Sequence, residues 1–325
     1  MDTARFILLR LGKAVLVLLG VAVLNFVLIH LAPGDPAAVM AGEAGAGDEQ
    51  FIAQLRAQFG LDKPLHVQLW AYISGILQGD LGYSYRNQVP VAELIASRLP
   101  ATLLLTGCAF VLSLVVGIGA GVLAAWRRGK ATDTVVMTGA LVFYATPLFW
   151  IGLMAVLLFS IKLGWLPAFD METVGAGYTG WARVKDVAAH LVLPVVTLGL
   201  FSAAVYARLT RASMLEVMSL DFVKTARAKG VPQARIIRRH VLRNAILPIF
   251  TFASLQAGQL VGGAVLTETV FAWPGIGRLM FDALLQRDYP VLLGVFLTTA
   301  AVVVVVNLVT DLLYRVVDPR IDARA

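Results

Sequence analysis

The chain has 325 residues, 59% of them hydrophobic and only 14% charged, with a mean hydropathy of +0.80. That balance excludes an ordinary soluble globular protein and makes a bilayer the natural solvent. The net charge is +7, but the basic residues cluster between apolar runs, which points to membrane topology and away from nucleic acid as a partner. Cys108 is the single cysteine. It excludes an intrachain disulfide and a cysteine-based metal site, and its apolar surroundings make it a small core residue.

A helix needs roughly 20 mainly apolar residues to cross the hydrocarbon core. Six stretches qualify: 10–31, 100–126, 134–163, 190–207, 248–271 and 290–313. The first is too long for a signal-peptide core and no small-residue cleavage site follows it, so it reads as an uncleaved helix. The fourth is short and carries Pro194 and Gly199, which membrane helices tolerate where neighbours satisfy the freed carbonyls.

Between the first two spans, residues 32–99 are more polar and contain two short helical patterns. Asp48 can cap the first, with Phe51, Ile52, Leu55 and Phe59 as its apolar stripe and Gly60 at its end. The second follows Pro64, sets Leu69, Trp70, Ile73, Ile76 and Leu77 on one side, and stops at Gly79-Asp80-Leu81-Gly82. The segment reads as a small folded cap on the external mouth, which either docks a partner or covers the pore.

Most Lys and Arg fall on one side of these spans. They include Arg127, Arg128 and Lys130, Arg315, Arg320 and Arg324, and a dense set between Arg208 and Arg243. Short cytoplasmic loops retain such residues, so both termini and the loop 208–247 are assigned to the cytoplasm. That loop is longer than a helix-to-helix connection requires. Asp221 is a suitable N-cap, Phe222, Val223, Ala226 and Ala228 supply small and apolar surface, and Gly230 with Pro232 marks the end. After Pro232, Ile237, Val241 and Ala245 fall on one helical face while Arg235, Arg239 and Arg243 keep the same spacing on a neighbouring one. A short rigid helix between two spans is what mechanical coupling needs, because a floppy loop absorbs movement without passing it on. No Gly-x-x-x-x-Gly-Lys-Ser/Thr occurs, since neither Lys13 nor Lys130 is followed by Ser or Thr, so any ATP is hydrolysed on another chain.

At Thr225-Ala226-Arg227-Ala228-Lys229-Gly230 and Leu242-Arg243-Asn244-Ala245-Ile246-Leu247-Pro248 the sequence resembles permeases of the peptide and nickel branch of ABC importers. The resemblance extends through Pro33-Gly34-Asp35-Pro36, Gly60-Leu61-Asp62-Lys63-Pro64, Thr267-Glu268-Thr269-Val270-Phe271-Ala272-Trp273-Pro274-Gly275, Arg287-Asp288-Tyr289-Pro290 and Asp318-Pro319-Arg320. The long segment after the first span is similar to the first of the two permeases in such systems. What the resemblance implies is an all-α membrane protein with six transmembrane helices, the type I importer permease fold and a cytoplasmic coupling helix. It implies a second, homologous permease, two ATPase subunits or domains that bind the ATP and Mg, an extracytoplasmic solute-binding protein, and a bacterial or archaeal cytoplasmic membrane. It also implies that the chain itself needs no cofactor and is no enzyme. The coupling helix would comprise Asp221, Phe222, Lys224, Thr225, Ala226, Arg227, Ala228, Lys229 and Gly230, seated on the ATPase. Lys224-Thr225-Ala226 stands where the general motif of such importers has Glu-Ala-Ala, so no contact assigned to that glutamate carries over.

The chain then divides into 1–31, the external cap 32–99, a five-helix core 100–318 and a tail 319–325. Polar side chains at membrane depth are costly and often line a path, which nominates Gln256, Gln259 and Glu268, set against simple interhelical bonding or, for Glu268, a pair with Arg278. Asn25, His30, Asn307 and Asp311 read as solvated or interfacial groups. An ion-gradient transporter or channel is the alternative reading. It lacks a mid-span carboxylate site and an inverted repeat, and it would leave the structured loop idle.

Overall fold

A computed structural model describes residues 3–31, 36–43, 48–58 and 62–317. It falls into two compact units, residues 1–100 with 275–325, and residues 101–274.

In the first unit, α1 (Thr3–Leu31) packs along α14 (Tyr289–Val317). Asn25 is buried there and donates to the Leu293 carbonyl at 3.1 Å, so its amide is spent on helix packing. Two short helices, α2 (Pro36–Glu43) and α3 (Glu49–Gln58), follow, and the Asp48 carboxylate accepts the Gln50 N–H at 3.3 Å as the N-terminal cap read from sequence. Phe51, Leu55, Phe59 and Gly60, read as part of that helix, have side chains or positions outside the described residues. Helix α4 (Leu65–Leu77) rests on α1, where His30 Nε2 meets Gln68 Oε1 at 3.0 Å. Its apolar stripe is narrower than the sequence reading made it. Leu69, Ile73 and Ile76 are half-buried, but Trp70 and Leu77 are 71% and 80% exposed. At 100° per residue those two lie about a quarter turn away from the packed face. A small hairpin, β1 (Tyr83–Ser84) with β2 (Val89–Pro90), then pairs Tyr83 with Pro90. Ser84 Oγ donates to Asp288 at 2.5 Å, and the other Asp288 oxygen accepts the Val291 N–H, capping α14. Helix α13 (Ile276–Gln286) precedes α14 and is ended by Arg287 in the left-handed region.

Helix α5 (Val91–Trp126) begins in the first unit and runs into the second, which also holds α6 (Ala131–Ala145), α7 (Leu148–Ala155) and α8 (Gly180–Met218). Helices α5 and α8 meet at backbone distance. A methyl on Gly117 would fall 2.5 Å from Tyr206 Cβ, and one on Gly121 2.5 Å from Thr210 Cβ. Small residues at such crossings are how membrane helices gain dispersion contact. Four helices are long and apolar enough to cross a membrane among the described residues: Arg10–Leu31, Val91–Trp126, Gly180–Met218 and Tyr289–Thr310. The third stretch read from sequence is not one rod. Helices α6 and α7 meet at 103° because Pro147 cannot continue the ladder and holds Thr146 extended; α7 then widens into a π-helical turn over Val156–Lys162. The fourth stretch, expected to be short, is the middle of a 39-residue helix that accommodates Pro194. The stretch 248–271 is delivered as α11 (Leu242–Gly263) and α12 (Val265–Val270), and the amides of Gln256 and Gln259 lower its apolar character. Cys108 is only partly buried, on a helix whose apolar window is 33% buried.

Candidate functional site: a capped helix on a buried platform

The connection from α8 to α11 is ordered throughout. It contains α9 (Asp221–Ala228), the single turn α10 (Gln233–Arg235) and a π-helical turn, Ile236–Val241, that runs directly into α11. Asp221 is not the N-cap. Leu220 holds that place in an extended conformation without a side-chain cap, and Asp221 begins the first turn. There its carboxylate accepts Lys224 Nζ at 2.8 Å and lies at the positive end of the helix dipole. The exposed pair contributes little on its own.

The carboxyl end is sharply defined. Gly230 has φ +76°, its N–H donates to Arg227 O at 2.9 Å, and the Val231 N–H reaches Ala226 O at 3.2 Å. These two bonds make a Schellman ending, in which glycine takes the left-handed position without a Cβ penalty.

Helix α9 is amphipathic, and its inner face is seated. Val223 is fully buried and Ala226 nearly so. They share one cluster with Ala125 from the end of α5, Met214 from the end of α8, and Ile236, Ile237, Val241 and Ala245 from the helix that follows. Burying a Val and its neighbours in this way is worth about 1.5–3 kcal/mol per large side chain, which fixes α9 as part of a rigid platform. The outer face carries Phe222, 42% exposed, with Lys224, Thr225, Arg227, Ala228 and Lys229 around it. The sequence thus found α9, but it grouped Phe222, Val223, Ala226 and Ala228 as one small and apolar surface and left Val223 out of the coupling set, whereas Val223 and Ala226 lie inside and Phe222 and Ala228 outside. The period-of-three signal from Val223 to Ala226 was the available clue. The following helix behaves as read, with Ile237, Val241 and Ala245 buried and Arg235, Arg239 and Arg243 exposed.

Beside the platform, Arg211 on α8 forks onto Asp133 at the start of α6, Nε to Oδ1 at 2.6 Å and Nη2 to Oδ2 at 2.8 Å. Asp133 also receives the Gly129 N–H at 3.0 Å. It sits before the apolar stretch, and the Arg211 hydrogen bonds, then the Gly129 N–H, hold its carboxyl below the usual range.

The polar residues named within the spans have separate surroundings. Gln256 is half-buried on α11, while the side chains of Gln259 and Asp311 lie outside the described residues. Glu268 on α12 is fully enclosed and accepts Thr102 Oγ1 at 2.7 Å. Its backbone carbonyl receives the Trp273 N–H at 2.8 Å, and the Trp273 indole donates to Ala101 O at 2.8 Å. Arg278 stands 3.9 Å from Asp282 on its own helix. Asn307 is exposed and borders a cleft with Arg10 and Lys13. A separate open cavity of about 430 Å³ lies along the loop before α8, where Arg183 bridges to Glu172 at 2.8 Å. Asp186 accepts both the N–H and the hydroxyl of Thr173, at 2.6 and 2.8 Å.

Residues 117–323 match the family model described as binding-protein-dependent transport system inner membrane component, and residues 3–106 match its N-terminal companion. The chain belongs to this family. It is 44% identical to the dipeptide transport system permease protein DppB of Escherichia coli K12 over 98% of both chains. It is likewise 43% identical to a di/tripeptide permease of Pseudomonas aeruginosa, covering 97% of this chain and 98% of that one. A glutathione transport system permease, GsiC of Salmonella choleraesuis, matches at 44% identity with the same coverage. Among solved structures, a chain of the inward-facing MetNI methionine ABC transporter superposes with a TM-score of 0.55 at 19% identity, over 69% of this chain and 96% of that one. This permease is therefore a multi-pass membrane protein of the type I importer fold and a pore-forming transport subunit.

Proposed function

We infer that this permease pairs with a second, related permease to form the pore of an ATP-driven importer for peptides or peptide-like solutes in a bacterial or archaeal cytoplasmic membrane. The transport systems of its relatives, for dipeptides, di/tripeptides and glutathione, all concern solutes built on a peptide backbone. In this reading both termini are cytoplasmic, the segment 32–99 caps the outer mouth, and a solute-binding protein delivers cargo there. Partner ATPase subunits supply the ATP and Mg chemistry. The segment 221–230 is the coupling helix, and Gln256 and Gln259 border the path. Glu268, already bonded to Thr102, steadies α12 beside that path.

The observation that carries the coupling role is the two-faced character of α9. Val223 and Ala226 are buried in the platform while Phe222 and four polar or basic neighbours remain outside. A helix seated on the ends of two spanning helices transmits a push to both.

The test is ATP hydrolysis by the complex co-purified with its partner chains, with and without binding protein and a dipeptide. Ala226→Arg forces a charge into the platform and Gly230→Pro removes the donor that ends α9. Both should abolish stimulated hydrolysis while the complex still assembles. Uptake that follows an ion gradient with no ATPase present would replace this reading with the secondary-transporter one.

A further inference from the structure

Helices α6 and α8 are joined at both ends of α6. At its start, Asp133 and Arg211 make two parallel charge-assisted bonds of 2.6 and 2.8 Å. At its end, Tyr144 stacks on Phe201 with 6.0 Å between ring centres, and the Arg208 guanidinium lies 5.8 Å from the same ring. Asp133 is buried, 5% exposed, and also accepts the Gly129 N–H, which closes the turn from α5 onto the same carboxylate.

The position of Arg211 gives this pair its significance. Arg211 lies three residues before Met214, the fully buried α8 residue in the cluster that seats Val223 and Ala226 of α9. Residues three apart share a helical face, so the grip on α6 and the seat of α9 belong to one short stretch of α8. Apolar helix contacts let one helix slide along another, whereas a forked pair fixes both distance and orientation and must break two bonds to slip.

We propose that the Asp133–Arg211 pair is a positioning element for energy coupling, making α6, and with it the bent α6–α7 segment, follow α8 when α9 is displaced. Both act through α8. The proposal rests on the coupling role assigned above to 221–230.

The test uses the full complex with its second permease, ATPases and binding protein in sealed vesicles, and reads dipeptide taken up per ATP hydrolysed. Arg211→Ala and Asp133→Asn should assemble and retain binding-protein-stimulated hydrolysis, while uptake per ATP falls about fivefold or more. The exchange of Asp133→Arg with Arg211→Asp should recover most of the ratio. An unchanged ratio in an assembled Arg211→Ala complex overturns the proposal, as does an exchange variant no better than the single ones. Should Arg211→Ala fail to assemble, Arg211→Lys keeps the charge but loses the fork. A lowered ratio there supports the proposal and an unchanged one overturns it. Gly230→Pro separates the two ideas. If it leaves binding-protein-stimulated hydrolysis intact, the coupling role of α9 has failed; if it abolishes that hydrolysis while the Arg211 variants keep the wild-type ratio, only the role of the pair has failed.

Discussion

Gly230 and Asp133 are the two residues whose chemistry is most constrained. Gly230 sits at φ +76° with open space around its Cα, so the cost of a side chain there is conformational and not steric. Gly230→Ala should therefore cost about 1 kcal/mol, visible as a small fall in thermal stability with coupling preserved, while Gly230→Pro should lose coupling. Asp133 yields a pH dependence. Its carboxyl is held below the ordinary range by Arg211 and the Gly129 N–H, with Arg128 also nearby. A depressed carboxyl stabilises the fold above its unfolded value of about 4, and that contribution disappears as the pH falls through the folded value. Melting temperatures measured from pH 7 downward should drop more steeply for the wild type than for Asp133→Asn, whose curve starts lower and is flatter. The sequence could not reveal this pair. Asp133 and Arg211 stand 78 positions apart, and only the packing of α6 on α8 brings them together.

Among the elements, periodicity recovered what repeats and missed what interrupts. Helix α9 and the buried row Ile237, Val241 and Ala245 were legible because amphipathic spacing and a glycine stop are local signals. The 103° break between α6 and α7 was signalled by Pro147 but was outweighed by continuous hydropathy. The π-helical turns at Val156–Lys162 and Ile236–Val241 left no composition signal at all. The extent of α8 was also missed, because its ends are polar while the search followed apolar runs. A Cβ at Gly121 would come within 2.6 Å of the Ala207 carbonyl, a backbone atom that cannot turn aside. Gly121→Val should separate α5 from α8 and cost about 1–3 kcal/mol or more. At Gly119, where nothing lies within 4 Å, the same change should be tolerated. Thermal unfolding of the two variants in one detergent gives the comparison directly.

For the whole molecule, the family was legible from short motifs in a fixed order, and the 44% identity to DppB over 98% of the chain bears it out. The physical reason is that several of those motifs are structural joints. Trp273 and Glu268 lock a turn against Ala101 and Thr102, and Asp288 ties the β1–β2 hairpin to α14. The candidate path was less legible, since an amide in an apolar run has the same appearance whether it bonds a neighbouring helix or faces cargo. At this scale the prediction concerns energy. Dipeptide uptake by the reconstituted complex should persist with a protonophore present and stop with vanadate, an inhibitor that traps phosphate-hydrolysing sites.

Helix α8 has one more consequence. Its 39 residues amount to about 58 Å at 1.5 Å per residue, close to twice the roughly 30 Å hydrocarbon thickness. Set along the bilayer normal, nearly half of its length would stand outside the hydrocarbon. Treated as a lever pivoting at mid-bilayer, a tilt of about 10° carries each tip about 5 Å, in opposite directions. The α9 tip and the Gly180 tip would then move in opposite directions, so a push received at one end of α8 would reach the other end with its sign reversed.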